Sequence, residues 1–384
     1  MFCALREVKG MDIIMKILVT GANGFIGKNI IAELNNRGYH EIYKFDLDTD
    51  KSLLIEYTKD CEFVFHLAGV DEAINENDFM DTNFGFTSVL IDLLKKHNNK
   101  APILFASSIQ AEDDHPYGKS KRAGEELLIQ YSNQNGSRVL IYRLPSLFGK
   151  WSRPNYNSLV ATYCYNISRG LDIQIENPNE EITLCYIDDV FDEFIRALEG
   201  NPSKNDQYCF VPKVHLINVG DLVEKIKSFK EIRNNLSIPN VNDALTKKLY
   251  STYLSFLPEK DFCYDLRMHC DDRGALAEFI KTPEMGQISI NVSKPGVSKG
   301  NHWHHTKSEK FLVVSGNGLI RFRRIGSDEI IDYYVKGDRL QVVDVPAGYV
   351  HSIINVGETD LIILMWYNES YNPEKPDTYF LKLE

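Results

Sequence analysis

Two short runs of the chain carry residue types that do chemistry only in company. The first is Tyr117-Gly118-Lys119-Ser120-Lys121. Residues four apart on a helix share a face, so a helix over this run sets the Tyr117 phenol beside the Lys121 ammonium. A cation there favours the phenolate and lowers a tyrosine pKa from its usual value of about 10. Such a phenol can pass a proton to a carbonyl oxygen as hydride arrives. The second run is His302-Trp303-His304. On a strand, His302 and His304 point to one face, and His305 falls on the other. Glu309 and His351, expected on neighbouring strands, complete three nitrogens and one carboxylate oxygen. That set suits a borderline divalent ion such as zinc.

Both runs need a scaffold, and the flanking sequence predicts two. Residues 16–20 read as a strand. Gly21-Ala22-Asn23-Gly24-Phe25-Ile26-Gly27 follows, and then a helix to about residue 37. Glycines between a strand and a helix let the backbone approach a pyrophosphate at the positive helix end. Further strands are expected at 41–45, 63–67, 102–105 and 139–142, with helices over 79–96 and 117–131. This alternation predicts a parallel, doubly wound α/β sheet. Asp46 ends the second strand. It either takes the adenosine ribose hydroxyls and repels an extra phosphate, or is a solvated loop acid beside Asp48 and Asp50. Beyond Ser251 short strands dominate, at 287–292, 309–314, 319–323, 330–335, 340–345, 353–356 and 361–366, which predicts an all-β sandwich or small barrel. Residues 201–249 read as helical and polar, closing the first domain. The division expected is 1–250 and 251–384.

The totals bound the function. A chain of 384 residues exceeds what one core usually serves. A net charge of -11 argues against a nucleic-acid partner. The seven cysteines are odd in number and lack CxxC spacing, so reduced thiols in a cytoplasmic protein are expected. No apolar run is long enough to insert in a membrane. Residues 1–14, with Met11 and Met15 just ahead of the first strand, read as a loose extension.

The glycine spacing, His66-Leu67-Ala68-Gly69 and the Tyr117–Lys121 run resemble the extended short-chain dehydrogenase/reductase family. The resemblance implies a Rossmann-like domain. Its cofactor site would use Gly21, Asn23, Gly24, Phe25, Ile26, Gly27, Asp46, Leu67, Ala68, Gly69 and Leu144, with Tyr117 and Lys121. It implies that Ser108, or its neighbour Ser107, orients the substrate carbonyl, and that Asn83 helps hold a proton-relay water. The segment from Arg143 to Gly149 resembles the one lining the nicotinamide and sugar sites. Arg153, Asn155, Tyr156 and Asn157 follow in a polar loop suited to a nucleotide sugar. Tyr186-Ile187-Asp188-Asp189-Val190 reads either as a substrate-domain motif or as a helix cap.

Gly296, His302, His304, Glu309 and Gly316 follow the first cupin motif, and Pro346-Ala347-Gly348, His351 and Asn355 the second. Asp272-Arg273-Gly274, Glu278 and Lys299-Gly300-Asn301-His302 also resemble the cupin sugar-nucleotide 3,5-epimerases. That implies Arg273 and Lys299 on a diphosphate, Glu278 near the nucleobase, and His302 facing the sugar. His302 is thereby claimed as ligand and as catalytic base, and a metal-bound nitrogen has no lone pair left for a proton.

The order of parts resembles the bifunctional capsular-polysaccharide enzymes in which a short-chain reductase is fused to a cupin. The resemblance implies a homodimer, Zn(2+), and a UDP-linked 4-keto amino sugar as substrate. The cupin would epimerise a UDP-2-acetamido-2,6-dideoxy-4-hexulose at C3. The reductase would then reduce the C4 ketone with NADPH to a 6-deoxy-L-talose derivative. Phe45-Asp46-Leu47 offers no arginine to a 2′-phosphate, which keeps NADH open. Two rivals stand beside this reading: an NAD-dependent nucleotide-sugar epimerase or dehydratase without net redox, and a cupin that serves only dimerisation and ligand binding. Ser108-Ile109-Gln110 lacks the acidic pair usual in a dehydratase.

Overall fold

The computed structural model describes residues 13–72, 75–282 and 284–383. Residues 1–12 of the expected extension lie outside the described residues, and Ile13 forms an isolated parallel bridge with Tyr39. The chain forms two compact units, 1–226 with 248–257, and 227–247 with 258–384. The expected boundary at 250 falls inside a helix, Ala244–Ser255. Residues 227–247 group with the second unit because the chain near Ser237 pairs with Lys281, whose N–H donates to Leu236 O (2.8 Å) and whose carbonyl accepts from Ile238 N–H (2.9 Å).

The first unit begins with β1 (Ile17–Thr20), α1 (Phe25–Asn36), β2 (Ile42–Phe45), α2 (Lys51–Asp60), β3 (Phe63–His66), α3 (Glu76–Phe79), α4 (Phe86–Lys96), β4 (Ile103–Ser108), α5 (Pro116–Asn135) and β5 (Val139–Leu144). It continues with β6 (Ser146–Phe148), α6 (Leu159–Arg169), β7 (Glu181–Tyr186), α7 (Ile187–Leu198), β8 (Lys204–Asn205), β9 (Tyr208–Cys209) and β10 (His215–Asn218). The main sheet runs β2-β1-β3-β4-β5-β9-β8 and is parallel from β2 to β9. Alternate strand residues serve two cores. Ile17, Val19, Phe63, Phe65 and Leu104 pack on one face, and Leu18, Val64, Ile103, Phe105 and Ile141 on the other. Helices cover both faces, so the strands read as continuous apolar runs. β2 and β3 flank β1, which opens a crevice at the carboxyl ends of β1 and β3.

The helix expected over 79–96 is broken: Met80–Gly85 is a π-helical turn between α3 and α4. Such turns often mark functional positions, and Asn83 lies in this one.

The second unit is all-β apart from helical pieces near its start. Its strands are β11 (Met268–Asp271), β12 (Gly274–Thr282), β13 (Gly286–Ser293), β14 (Ser298–Trp303), β15 (Glu309–Ser315), β16 (Asn317–Arg324), β17 (Ile330–Lys336), β18 (Val342–Val345), β19 (Tyr349–Asn355), β20 (Leu361–Tyr367) and β21 (Tyr379–Phe380). They form two antiparallel sheets, β11-β12-β13-β20-β15-β18 and β17-β16-β19-β14-β21. The core joins Phe311, Val313, Ile363 and Met365 of one sheet to Ile320, Phe322, Val335 and Ile353 of the other. The wall formed by β13 is polar: Gln287, Ser289, Asn291 and Ser293 are buried at alternate positions.

Candidate functional site

The crevice of the first unit is a cleft of about 670 Å³. One edge is the glycine loop. Gly21 has φ +68° and packs against the backbone of Leu67 and Ala68, where a Cβ would sit 2.8 Å from Ala68 N. A Cβ on Gly27 would lie 2.0 Å from Gly21 O. These glycines hold the turn tight at the α1 N-terminus, which no side chain caps. Free amides at that end suit a phosphate, so the cradle fits a dinucleotide. Asn23, Gly24, Phe25, Ile26, Leu67, Gly69 and Leu144 line the same cleft. Asp46 takes the Asn23 N–H (2.7 Å) and its neighbour Leu47's N–H (2.8 Å). It is therefore bonded to the glycine loop.

Tyr117, Lys121 and Ser108 meet in this cleft. Burial pushes the Tyr117 phenol up to about 12, with the Ser108 hydroxyl pulling the other way and Asp71 adding to the rise. The expected lowering by Lys121 is not met. The Lys121 Nζ donates to Ala106 O (3.1 Å) and stands 5.8 Å from the Tyr117 ring centre. Burial also pulls Lys121 down to about 8, opposed by Asp71 and Glu125. Tyr117 is thus a neutral phenol near pH 7, the form that donates a proton.

Ser107 and Ser108 are separated by the pleat. Ser107 is buried and donates to Glu125 Oε1 (2.5 Å), while Ser108 sits at the strand end facing Tyr117. Glu125 was not singled out in the sequence, although it lies four residues beyond Lys121 on α5. It is 1% exposed and also holds Arg143 (2.7 Å) and the Tyr208 hydroxyl (3.3 Å). Asn83 acts on the protein itself. It takes the Val70 N–H (2.9 Å), donates to Val70 O (3.0 Å) and donates to Ser120 Oγ (2.9 Å). It thereby pins the loop after β3 to α5.

Arg153, Tyr156 and Asn157 line the cleft, with the Arg153 guanidinium 4.7 Å from the Tyr156 ring centre. Asn155 is exposed and absent from the cleft lining, and its backbone N–H donates to Thr162 Oγ1 (2.9 Å). Asp71 and Trp151, both in the lining, were missed because no local pattern marks them. Asp188 and Asp189 open α7 and are ion-paired, to Lys150 (2.7 Å) and Lys248 (2.5 Å).

In the second unit, the ligand atoms of His302, His304, Glu309 and His351 lie within 4.8 Å of one another. His302 and His351 come from one sheet, paired across β14 and β19, and His304 follows directly after the end of β14. Glu309, expected on a neighbouring strand, comes instead from β15 of the facing sheet. The Nε2 atoms of His304 and His351 each lie 3.2 Å from a Glu309 oxygen, yet have no hydrogen-bond partner. The His304 Nδ1 is engaged by Asp377 O, so a neutral His304 turns a lone pair toward a carboxylate. A cation between them removes that repulsion. Ring centres only 4.5–5.3 Å apart disfavour several imidazolium charges at once. The donor set therefore fits a divalent ion. Burial, followed by His351, pushes His302 down to about 4. Burial works to raise Glu309, but the adjacent His304 and His351 rings prevail and hold it below the usual carboxylate range.

The remaining expected residues divide. The Lys299 Nζ donates to Asn291 Oδ1 (2.8 Å) and Val292 O (3.1 Å) at the polar wall. Glu278 accepts from Gln287 Nε2 (3.0 Å) and pairs with Lys281 (2.8 Å). Arg273 is exposed and bound to Asp271 (2.6 Å).

Residues 17–210 match the NAD dependent epimerase/dehydratase family, and residues 269–379 the polysaccharide biosynthesis C-terminal domain. Over 365 residues the chain is 44% identical to the UDP-2-acetamido-2,6-beta-L-arabino-hexul-4-ose reductase of Pseudomonas aeruginosa, covering 95% of this chain and 98% of that one. The crystal structure of the capsular polysaccharide assembling protein CapF from Staphylococcus aureus superposes with a TM-score of 0.89 at 48% identity, over 96% of this chain and all of that one. The spore coat polysaccharide biosynthesis protein SpsL of Bacillus subtilis is 32% identical over 122 residues, which span 29% of this chain and 81% of that one.

Proposed function

This chain belongs to the NAD dependent epimerase/dehydratase family and, over nearly its whole length, to the family of CapF, and we propose from that premise that it is a bifunctional nucleotide-sugar enzyme. The cupin unit epimerises a UDP-2-acetamido-2,6-dideoxy-4-hexulose at C3. The first unit then reduces the C4 ketone to the UDP-2-acetamido-2,6-dideoxy-L-talose. The observation that carries this reading is the meeting of Tyr117, Lys121 and Ser108 in one cleft with the glycine loop and Arg153.

A bound nicotinamide supplies the hydride. The Ser108 hydroxyl orients the C4 carbonyl, and Tyr117 gives its proton to the carbonyl oxygen. Lys121, cationic below about pH 8, favours the charge that grows on Tyr117 as the proton leaves. Asn83 keeps Lys121 and the Gly69 loop in register through Ser120 and Val70. Arg153 and Asn157 face the sugar nucleotide. NADPH is the cofactor that the family resemblance favours, and Asp46 at the glycine loop keeps NADH as the alternative.

In the barrel, the C4 ketone acidifies the C3 proton, so removal and return of that proton on opposite faces inverts the centre. Reduction afterwards removes the acidifying group and fixes the product. Lys299, bonded to Asn291 and Val292 of β13, and Arg273 would hold the substrate's diphosphate, with Glu278 near its nucleobase. His302, His304, Glu309 and His351 would hold Zn(2+), which would supply a structural cross-link between the two sheets. His302 then serves as ligand and not as base.

The test is incubation of the purified protein with candidate UDP-4-keto sugars in deuterated water, with and without NADPH or NADH, read by NMR. Deuterium at C3 without cofactor and one nicotinamide oxidised per sugar with it are expected. Turnover without net oxidation would replace this reading by an epimerase that recycles its NAD. Absence of C3 exchange would reduce the cupin to a binding or dimerisation module.

A further inference from the structure

Residues 377–383 are bonded along the strand that carries the histidine ligands. β21 pairs with His302 and Trp303 of β14. The Leu381 N–H donates to Asn301 O (2.9 Å), and the Leu383 N–H to the Asn301 side-chain oxygen (3.2 Å). Arg323 donates to Lys382 O (2.9 Å). The Tyr379 ring lies 5.1 Å from Trp303 and 4.8 Å from His305, centre to centre. At the head of this strap, the Asp377 carboxylate accepts the N–H groups of His305 (2.9 Å), Thr306 (2.7 Å) and Lys307 (2.9 Å), and the Thr306 hydroxyl (3.0 Å). Its backbone carbonyl meets His304 Nδ1.

We propose that Asp377 is a positioning residue for the metal centre, anchoring the strap so that its carbonyl sets the tautomer and direction of His304. A neutral imidazole carries one N–H and one lone pair. Donation from Nδ1 to the Asp377 carbonyl leaves the Nε2 lone pair aimed at Glu309 and the other ligands. A hydrogen bond of this kind also raises the basicity of the ligating nitrogen. The carboxylate does the complementary task. By gathering the three amides of 305–307 it turns the chain directly after His304, which fixes the ring and carries His305 out of the cluster. Tyr379 then holds His305 outside. The carbonyl itself survives substitution, but its place depends on the carboxylate that anchors it.

The inference rests on the reading of the four-residue cluster as a divalent-cation site. It is tested on the full-length chain by competition for Zn(2+) with a chelator of known affinity, and by the absorption spectrum of the Co(2+)-loaded protein. The metal-free melting temperature is measured separately. Asp377→Ala is expected to weaken Zn(2+) binding about 10–100-fold, the usual effect of losing a group that orients a ligand, and to alter the Co(2+) spectrum. Asp377→Asn keeps one acceptor oxygen and is expected to fall between; it also serves if the alanine variant fails to fold. Asp332→Ala, which breaks the Arg321–Asp332 pair (2.8 Å) on β16 and β17, is expected to bind as the parent does. Affinity within twofold of the parent in Asp377→Ala would overturn the proposal. So would an equal loss in Asp332→Ala, or a loss matched by collapse of the metal-free melting temperature, since either outcome makes Asp377 a general brace of the barrel. A parent protein that takes up no Zn(2+) or Co(2+) would instead remove the metal reading itself.

Discussion

Tyr117→Phe removes one oxygen from the cleft and leaves the ring, which burial already holds. The reductive step is expected to fall at least a hundredfold, about 2.7 kcal/mol, while nicotinamide binding followed by fluorescence changes little. A loss under tenfold would put the proton donor elsewhere. Lys121 makes a second prediction at this scale. Burial pulls it down to about 8 against the opposing charges of Asp71 and Glu125. Above that pH it is neutral and gives the departing proton no help, so kcat/KM for reduction is expected to decline as pH rises through about 8. Stability runs the other way. The folded chain releases this proton more readily than the unfolded chain, whose lysine titrates near 10.5. Unfolded molecules therefore bind more protons between those values, and this group makes folding more favourable as pH rises through that window. Glu125→Gln removes one of the charges that favour protonated Lys121 and is expected to move the activity limb to lower pH. A pH–rate profile with no limb near 8, or one unmoved in the variant, would separate Lys121 from the chemistry.

At the level of elements, α5 is tied to the sheet by a buried carboxylate. Tyr117, Lys121 and Glu125 follow one another at four-residue intervals along the helix, and the first two reach the cleft while the third reaches beneath it. Glu125 joins α5 to β4 through Ser107, to β5 through Arg143 and to β9 through Tyr208. Arg143 also stacks 3.9 Å from the Tyr208 ring centre. Removing Glu125 takes the shared carboxylate from Ser107, Arg143 and Tyr208 at once. Glu125→Ala is expected to cost about 3–5 kcal/mol of stability, measured by urea unfolding of the full chain. A cost under about 1 kcal/mol would mean that water or Glu112, already 2.7 Å from Arg143, replaces it.

For the whole molecule, the two compact units predict separable responses. All four ligand residues lie in the second unit and the whole reductive cleft in the first. Stripping metal with a chelator is expected to lower the melting transition of the second unit and to leave ketone reduction by the first within about twofold. A C3-exchange rate that follows the identity of the replacing ion would make the metal a participant in catalysis. A protein purified without stoichiometric divalent metal, and unmoved by chelator, would remove the metal from the account.

The sequence by itself determined the parts whose signal is local. Strand and helix periods, the Gly21–Gly27 turn, the four-residue step from Tyr117 to Lys121 and the His302–His304 alternation all arise within a few residues, where backbone geometry alone relates the side chains. The pairings that make these parts a site come from distant positions, and there the sequence is silent. Ser107 and Ser108 are equivalent as letters; the pleat sends one to Glu125 and leaves the other facing Tyr117. Asn83 becomes a pin between a loop and α5 only because a π turn aims it at Val70 and Ser120. Asp71 reaches Tyr117 by loop placement. Glu309 closes the histidine cluster from the opposite sheet, and Asp377 meets His304 from seventy-three residues away. Each of these is decided by which strands lie side by side or face to face, because burial and low dielectric reward only the pairs that the packed chain brings into contact.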